Sequence, residues 1–304
     1  MSLTEESGLP ETTTRTSAVE PVPFGPGSYL WEHMGLYTSA FAGNCAFILQ
    51  AMHPTVSVVS DQYSAFRTDP VGRAVRSFAS VQTWVYGGEA AIEEGKRLRE
   101  MHKPLVSFDE EGRRHHALSA DAWAWVHVTG LYGTLMAARY FAPAPPTRAE
   151  EQRIFDEFMN LGRILRVPER MLPETLEDFW TSFDKTVDDT LEATKVALEV
   201  VDMMDKTPVA GPAALRPALA RIGMATGRVG RFVTAGTLPP AAREKLGLTW
   251  TAADERRLRA LGQAVARTSP LLPERVRYMP IAYRARVAAR ARQSLDHALA
   301  TRPL

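Results

Sequence analysis

The most constraining feature of the sequence is a run of seventeen residues without a formal charge, from Ala122 to Ala138. A helix made from this run must be covered on all sides, either by lipid or by the rest of the protein. The run contains His127, Thr129 and Thr134 as well as two glycines, and it is slightly shorter than a typical transmembrane helix. We therefore predict a buried central helix rather than a membrane span.

The composition is that of a globular protein with a large core. The 304 residues are 45% hydrophobic and 23% charged, and the net charge is +1. This balance argues against a nucleic-acid partner, because binding to phosphates requires a basic surface. The one cysteine, Cys45, excludes an internal disulfide, a two-cysteine haem attachment motif and an all-cysteine iron–sulfur site. A reducing, cytoplasmic location is the corresponding expectation.

We predict a disordered tail at residues 1–26, followed by one domain at residues 27–300. The tail is rich in Glu, Thr, Ser and Pro. It has neither the basic start nor the apolar core of a secretory signal, and it does not resemble a transit peptide. The segment from Pro208 to Pro217, which is rich in Pro, Gly and Ala, is the one plausible internal linker.

The fold is predicted to be all-α, because helical periodicity recurs along the chain while sustained alternation of apolar and polar residues is missing. Start and stop signals are clearest at Asp69-Pro70 and at Gly87-Gly88. A charged loop is expected at 109–116. The predicted helices cover 36–52, a short segment after Pro54, 70–86, 89–102, 119–141 with Ser119 as its cap, 147–165 and 173–201, followed by shorter helices.

Several metalloenzyme motifs are missing from the sequence. No Asp or Glu stands three residues before any of the seven histidines, which excludes the helical carboxylate–histidine pairs of di-iron bundles. There is also no zinc-protease pair of histidines, no phosphate-binding glycine loop and no nucleophile elbow. The isolated histidines on predicted helices favour a cofactor that needs a single protein ligand, and haem is the obvious member of that class.

His102 is the strongest candidate for the iron ligand. It shares one helix face with Ala91, Gly95 and Leu98, and its ring is expected to hang over a groove left by the two smallest of these residues. The alternative is a capping or surface histidine in the last turn of its helix. Three cations flank this face and are candidates for binding haem propionates: Lys96, Arg99 and Lys103.

Other histidines are weaker candidates. His127 lies in the most apolar helix, one turn from Trp123, and is either a hydrogen-bonded core residue or a second candidate for cofactor binding. His53 either lines a pocket or hydrogen bonds to a local helix end. His115 and His116 fall in the charged loop and are expected to face solvent.

A basic cluster on the helix that starts at Asp69-Pro70 is the third candidate feature. Arg73 and Ser77 are four residues apart and share a face, and Arg76 flanks them. Two guanidinium groups beside a hydroxyl are suited to binding propionates or to polarising bound oxygen. The alternative interpretation is an ordinary basic helix surface.

The order of several short motifs resembles the family of rubber oxygenases and mycophenolate-pathway MpaB oxygenases. The resemblance covers roughly residues 27–290, and the order of the motifs carries it more than any single one. The matching segments are Gly27-Ser28-Tyr29-Leu30-Trp31, Leu49-Gln50-Ala51-Met52-His53-Pro54, Phe66-Arg67-x-Asp69-Pro70-x-Gly72-Arg73, Tyr86-Gly87, Arg99-x-Met101-His102-x-x-Leu105-Val106 and Trp125-Val126-His127.

The resemblance implies an all-α fold with a globin-like core that holds one non-covalent haem b through a histidine. Arg73 matches the family arginine and His102 matches the proximal ligand. Ser77 stands where the latex-clearing members have threonine, and Arg76 stands where some members have lysine. No counterpart is found for the base proposed in polyisoprene cleavage, which argues against rubber as the substrate.

The resulting functional prediction is a haem b-dependent oxygenase, an oxidoreductase that uses dioxygen to oxidise or cleave a small hydrophobic organic substrate. In this prediction Arg73, Arg76 and Ser77 are the catalytic polar groups, and His102 binds the iron. A non-catalytic haem or lipid carrier is the alternative, and it differs in whether the distal side keeps an open coordination position. A haem-free helical protein is a third possibility.

Overall fold

The fold is all-α, as predicted, in a computed structural model that describes residues 20–204 and 216–301. Side chains are not described at residue 42 and at 216–225. The described chain forms fourteen α-helices: α1 Tyr29–His33, α2 Tyr37–Met52, α3 Pro54–Tyr63, α4 Pro70–Tyr86, α5 Glu89–His102, α6 Ala120–Phe141, α7 Arg148–Ile164, α8 Leu176–Asp189, α9 Lys195–Met204, α10 Arg216–Thr237, α11 Pro240–Lys245, α12 Ala252–Thr268, α13 Glu274–Arg277 and α14 Pro280–Ala300.

Helix α6 is the buried centre of the fold, which confirms the prediction for the uncharged run. It packs mainly against α2, and also against α7 and α12. The indole of Trp125 stacks on Phe183 of α8 at a centroid distance of 5.3 Å, and Tyr132 stacks on the same ring at 4.5 Å. Among the helices of the described ranges, none is both long enough and apolar enough to cross a bilayer.

The predicted charged loop is instead a small β-hairpin, made by β1 Val106–Phe108 and β2 Arg114–His116. The strands are antiparallel, and Ser107 pairs with His115. Three residues per strand are too few for an alternating pattern to be visible in the sequence. The hairpin packs against α3. This tertiary contact stabilises an extended conformation that the local sequence does not predict.

The structure agrees with the predicted cap of α4 and differs from two other predicted helix boundaries. Asp69 caps α4 as expected, since its carboxylate accepts the N–H of Gly72 at 2.9 Å. Ser119 occupies the cap position of α6, but its hydroxyl makes no capping bond. The predicted helix 173–201 is two helices, because α8 ends at Asp189 and α9 begins only at Lys195.

Part of the predicted disordered tail is packed on the domain. Val22 exchanges two backbone hydrogen bonds with the side-chain amide of Asn160, at 2.9 and 2.7 Å, and Phe24 is buried. Residues 1–19 of the tail lie outside the described ranges. The predicted linker at 208–217 also lies outside them, except for its last two residues, which begin α10.

Helices α5 and α7 approach each other closely at Gly95. A Cβ atom at this position would collide with the backbone carbonyl oxygen of Ile164. Because backbone cannot move aside as a flexible side chain can, only glycine permits this approach. Gly262 of α12 meets the carbonyl of Tyr140 of α6 in the same way. These two glycines therefore set the distances at which α5 and α12 lie on the rest of the bundle.

We expect Gly95→Ala to lower the free energy of unfolding by about 1–3 kcal/mol, because the added methyl group overpacks the α5–α7 contact. Gly230→Ala is the matched control, since a Cβ there meets nothing within 4 Å, and it should stabilise the protein by up to about 1 kcal/mol through helix propensity. Urea unfolding measures both. Equal stability of Gly95→Ala and the unmodified protein would contradict the close approach.

Candidate active site

A large cavity, which we call the central cavity, lies between α2, α3, α4, α5, α6 and α7 and has a volume of about 1730 Å³. Aromatic side chains supply much of its wall, including Phe47, Trp84, Trp123 and Phe158. Along α4 the wall is open to solvent, because Val71, Val75 and Phe78 line the cavity and are also exposed. The cavity is thus an apolar chamber with one accessible side.

The structure brings the five residues predicted for catalysis and iron or cofactor binding to this cavity. Its wall contains Arg73, Arg76, Ser77, His102 and His127. The three residues of the basic cluster come from α4, and the two histidines come from α5 and α6. Residues that are up to 54 positions apart in the sequence therefore face the same space.

His102 is the last residue of α5 and is half-buried. Its Nδ1 lies 2.8 Å from the carbonyl oxygen of Leu98. A carbonyl only accepts hydrogen bonds, so Nδ1 carries the proton and Nε2 is left with a free lone pair. Burial lowers the pKa of His102, which favours this neutral form. The ring also contacts Trp123 edge-on at 5.2 Å between centroids.

The predicted groove beneath His102 does not exist. Gly95 faces the carbonyl of Ile164 and Ala91 is fully buried, so α7 fills that face of α5.

The flanking cations Lys96, Arg99 and Lys103 are not in the cavity wall either. Lys96 and Lys103 pair with glutamates of their own helix, and Arg99 reaches the carbonyl of Arg166 at 3.4 Å. These three cations therefore lie outside the cavity wall, and their propionate-binding role stays a prediction.

His127 is enclosed in the core, with 4% of its surface exposed. It hydrogen bonds to the backbone of Phe158, while its Nε2 has no hydrogen-bond partner in the part of the chain that the structure describes. Burial lowers the pKa of His127 to about 4, so the ring is neutral at physiological pH. Other polar aromatic side chains of α6 are satisfied: the indoles of Trp123 and Trp125 donate to the carbonyls of Leu165 and Leu49. The unpartnered nitrogen of His127 is thus an exception within its own helix.

The remaining histidines differ from the predictions. His53 is buried, but it neither lines the cavity nor caps α3 with its side chain. Its Nδ1 has no partner, and its Nε2 lies 4.0 Å from the carboxylate of Asp121. His115 does not face solvent, since its side chain is only 13% exposed and hydrogen bonds at both nitrogens. His116 likewise bonds to the backbone of Lys103 and of Leu118.

Arg73 is a mostly covered cation, and it has no anionic partner within the described residues. Its Nε donates to the hydroxyl of Ser64 at 3.1 Å, and its guanidinium lies over the ring of Phe47 at 3.9 Å from the centroid. No carboxylate of the described chain forms an ion pair with it. Burial, with a contribution from Arg76, lowers the pKa of Arg73 to about 10. A covered charge of this kind is costly unless an anion neutralises it.

Arg76 and Ser77 lie at the open side of the cavity. Arg76 is exposed and pairs with the carboxylate of Asp69 at 3.0 Å, which is the same group that caps α4. Ser77 is exposed as well and stands one helical turn from Arg73. The prediction that Arg73 and Ser77 share one helix face agrees with this placement. Arg76 instead forms an ion pair with Asp69, the residue that caps α4.

One polar cluster of the wall was not predicted. Glu94 accepts hydrogen bonds from the hydroxyl of Ser80 at 2.6 Å and from Arg97 at 2.6 and 2.7 Å. The hydrogen bonds from Arg97 hold the pKa of Glu94 below its usual value. The spacing of Glu94 and Arg97 is visible in the sequence, but Ser80 belongs to another helix and joins them only through the packing of α4 on α5.

Comparison with known families places the chain among helical oxygenases. Residues 31–267 match the family described as ER-bound oxygenase mpaB/B′/rubber oxygenase, catalytic domain. Because this match covers well over half of the chain, the protein belongs to the mpaB/rubber oxygenase catalytic-domain family, as its motif order predicts. No match was found among curated proteins or among solved structures. Within the described residues, no group of three or more His, Cys, Asp or Glu side chains is arranged to hold a metal ion.

The burial of His127 predicts a pH dependence of stability. The unfolded chain takes up a proton at this residue near pH 6.5, while the folded protein does so only near pH 4. The free energy of unfolding should therefore fall as the pH decreases from about 7 to 4, with a contribution from His127 on the order of 3 kcal/mol.

The measurement is urea unfolding at several pH values for the unmodified protein and for His127→Leu. His53 and His102 titrate in both proteins, so the difference in slope isolates His127. The variant should lose less stability on acidification. Parallel curves for the two proteins would contradict the burial of a neutral His127.

Proposed function

We propose that this oxygenase depends on haem b and uses dioxygen to oxidise or cleave a hydrophobic organic substrate in the central cavity. The observation that supports this proposal is that two suitable side chains lie at the same cavity. His102, with a free lone pair on Nε2, and Arg73, a covered cation with no carboxylate partner among the described residues, face the same apolar space. The first is suited to an iron atom and the second to an anionic group.

The residues present fit a haem group. A haem-binding histidine is neutral, and its second ring nitrogen is commonly held by a backbone carbonyl, which fixes the tautomer. His102 meets both conditions through its bond to Leu98. The cavity, at about 1730 Å³, exceeds the roughly 300–1,000 Å³ typical of pockets for a single small molecule. It therefore offers room for a cofactor together with a substrate.

His127 is the second candidate ligand, because it also presents an unprotonated and unpartnered Nε2. It is enclosed, however, and a Cβ atom at Gly162 would lie only 2.9 Å from that nitrogen. His102 stands at a helix end with its ring partly accessible, so we assign the iron to His102 and place His127 in the cofactor pocket.

Haem b, when bound, supplies redox chemistry toward dioxygen, and the protein residues hold and orient the reactants. Arg73 binds a carboxylate of the cofactor or orients a polar group beside it, and Ser77 adds a hydroxyl donor one turn away. Both stand on the capped helix α4, so their positions are set by regular backbone. The aromatic wall binds the apolar substrate and excludes water from the reacting groups.

We expect the protein to bind about one haem per chain and to show an intense haem absorption band. His102→Ala should lose most of the haem, because it removes the ligand, whereas His127→Ala should retain haem and mainly lower stability. The pyridine haemochrome assay measures occupancy in both variants. Haem retention in His102→Ala combined with loss in His127→Ala would reverse the assignment of the ligand, and a colourless protein that refuses added haemin would refute the haem dependence.

Arg73→Ala should impair haem retention or substrate-dependent oxygen uptake. A hydrogen bond to a charged group contributes about 1.5–3 kcal/mol, which corresponds to a loss of roughly 10- to 150-fold. Ser77→Ala should reduce activity more than stability. Lys96→Ala is the control, because Lys96 pairs with Glu93 outside the cavity wall. Oxygen-electrode measurements with a panel of apolar compounds give the readout.

The same experiment separates the oxygenase from a carrier. A haem or lipid carrier binds the same compounds without consuming dioxygen, and its iron is six-coordinate and stable. Absence of uptake with every compound, together with such an iron spectrum, would favour the carrier.

A further inference from the structure

A chain of three hydrogen-bonded side chains leads from the hairpin to the wall of the central cavity. The hydroxyl oxygen of Thr55 lies 3.0 Å from Nδ1 of His115, and Nε2 of His115 lies 2.9 Å from the carboxylate of Asp109. Thr55 lines the cavity, while Asp109 is in the hairpin turn. The order is that of a hydroxyl, a base and an orienting carboxylate.

The hydrogen-bonding capacities of the three groups determine their protonation. An ionised carboxylate only accepts, so the Nε2–H of His115 donates to Asp109. This leaves the lone pair on Nδ1, which accepts the hydroxyl proton of Thr55. If His115 gains a proton, its Nδ1–H donates to the oxygen of Thr55, and the hydroxyl proton then points away from the ring. Both states keep all three groups hydrogen bonded.

The surrounding structure holds this geometry in place. Thr55 is the second residue of α3, and His115 is the middle residue of β2, opposite Ser107. The hairpin packs on α3, and the hydroxyl of Tyr63 donates to the carbonyl of Val106 at 2.7 Å. Two contacts from the hairpin therefore fix α3 relative to His115.

Asp109 is kept ionised by several donors. It accepts the backbone N–H groups of Glu111 and Arg113 at 3.1 and 2.8 Å, and the Nε–H of Arg113 at 2.7 Å. With the bond from His115, these donors hold the pKa of Asp109 far below its usual value. A carboxylate that stays negative can accept the Nε2–H of His115 throughout.

The other charged and titratable groups near His115 are few in the described structure. His53, at the junction of α2 and α3, interacts with His115, and Asp121 of α6 lies beside His53. Arg113 and Glu111 pair with each other across the hairpin turn at 3.1 Å. The anion nearest to His115 is therefore Asp109, which contacts it directly.

We propose that Thr55, His115 and Asp109 form a proton-transfer site in the wall of the central cavity. Thr55 is the residue that touches the cavity contents, and His115 and Asp109 act through it. The proposal deepens the proposed oxygenase function, on which its physiological role rests, by identifying where a proton enters or leaves the cavity.

The net result is the transfer of one proton into the cavity. Two protons shift, one along each of two hydrogen bonds. The hydroxyl of Thr55 gives its proton to a basic atom in the cavity while the Nδ1–H of protonated His115 passes its proton to the same oxygen. Thr55 is unchanged, His115 becomes neutral and the cavity acceptor gains one positive charge. His115 is reset when water delivers a proton to its Nδ1, because Nε2 keeps its own proton toward Asp109, which remains a carboxylate throughout. The reverse sequence removes a proton from the cavity.

Replacing the hydroxyl with a thiol tests this arrangement without a substrate or a haem spectrum. In Thr55→Cys, the introduced thiol lies beside His115 and Asp109, and a thiol next to such a pair forms a thiolate–imidazolium pair with a low pKa. The natural Cys45 gives little background, because it is fully buried and burial raises its pKa to about 12. The readout is the rate of alkylation by iodoacetamide as a function of pH.

We expect the introduced thiol to titrate at least one pH unit below an ordinary thiol, whose pKa is about 8.5. Adding His115→Gln or Asp109→Asn should shift the profile back toward higher pH by about one unit. These double variants also correct for the helix start, which lowers the pKa of a thiol at this position independently of His115. Ser60→Cys, on the same helix and in the same cavity wall, is the control for reagent access and should titrate normally.

An alkylation profile of Thr55→Cys that is unaffected by both His115→Gln and Asp109→Asn would overturn the proposal. If Thr55→Cys does not fold, nitrogen-15 NMR of the unmodified protein gives an independent test. Neutral His115 should carry its proton on Nε2 and lose that preference in Asp109→Asn, and protonation on Nδ1 instead would overturn the proposal.

These results are independent of the haem assay. A lowered thiol pKa in a protein that binds no haem would support the proton-transfer site and refute the proposed haem dependence. Normal thiol titration in a haem-replete protein would do the reverse.

Discussion

Covering helix α6 on every side is the constraint on which the rest of the structure depends. The helix carries no formal charge from Ala122 to Ala138, so leaving it in water would expose a large apolar surface. Helices α2, α7, α8 and α12 provide the cover. The central cavity lies between α6 and helices α3, α4 and α5, and Trp123 and His127 of α6 contribute to its wall. The cavity is therefore the gap in the cover of an otherwise enclosed helix.

Polar groups that lack partners inside that apolar space are costly. An unpartnered buried donor or acceptor costs about 1–3 kcal/mol, and the nitrogens of His127 and Trp84 are two such atoms. Arg73 adds a covered charge without an anion. Local rules of stability are typically broken where a protein binds or reacts. A ligand with an anionic group and a centre that accepts a lone pair would relieve these costs, which is the physical argument behind the proposed haem dependence.

The cavity wall joins groups from elements with different tasks. Helix α4 presents Arg73 and Ser77, and α5 ends with His102. On another part of the wall, α3 presents Thr55, which the hairpin supports through His115. The hairpin thus supports α3 and supplies a hydrogen-bonding side chain to the wall, although it does not belong to the helical core. Cofactor binding and proton transfer would be assigned to separate elements of one chamber.

The sequence by itself determined the helical class, the family and the boundaries of α4 and α5, because proline, glycine and capping residues act over only a few positions. It also identified the shared face of Arg73 and Ser77, which follows from helix geometry alone. Tertiary structure decided that α7 fills the groove at Gly95 and that residues 106–116 form a hairpin. It likewise decided that His115, 60 residues after Thr55, meets that hydroxyl. Local periodicity predicts on which face of its own helix a side chain lies. The residue that this side chain contacts depends on how helices distant in the sequence pack together.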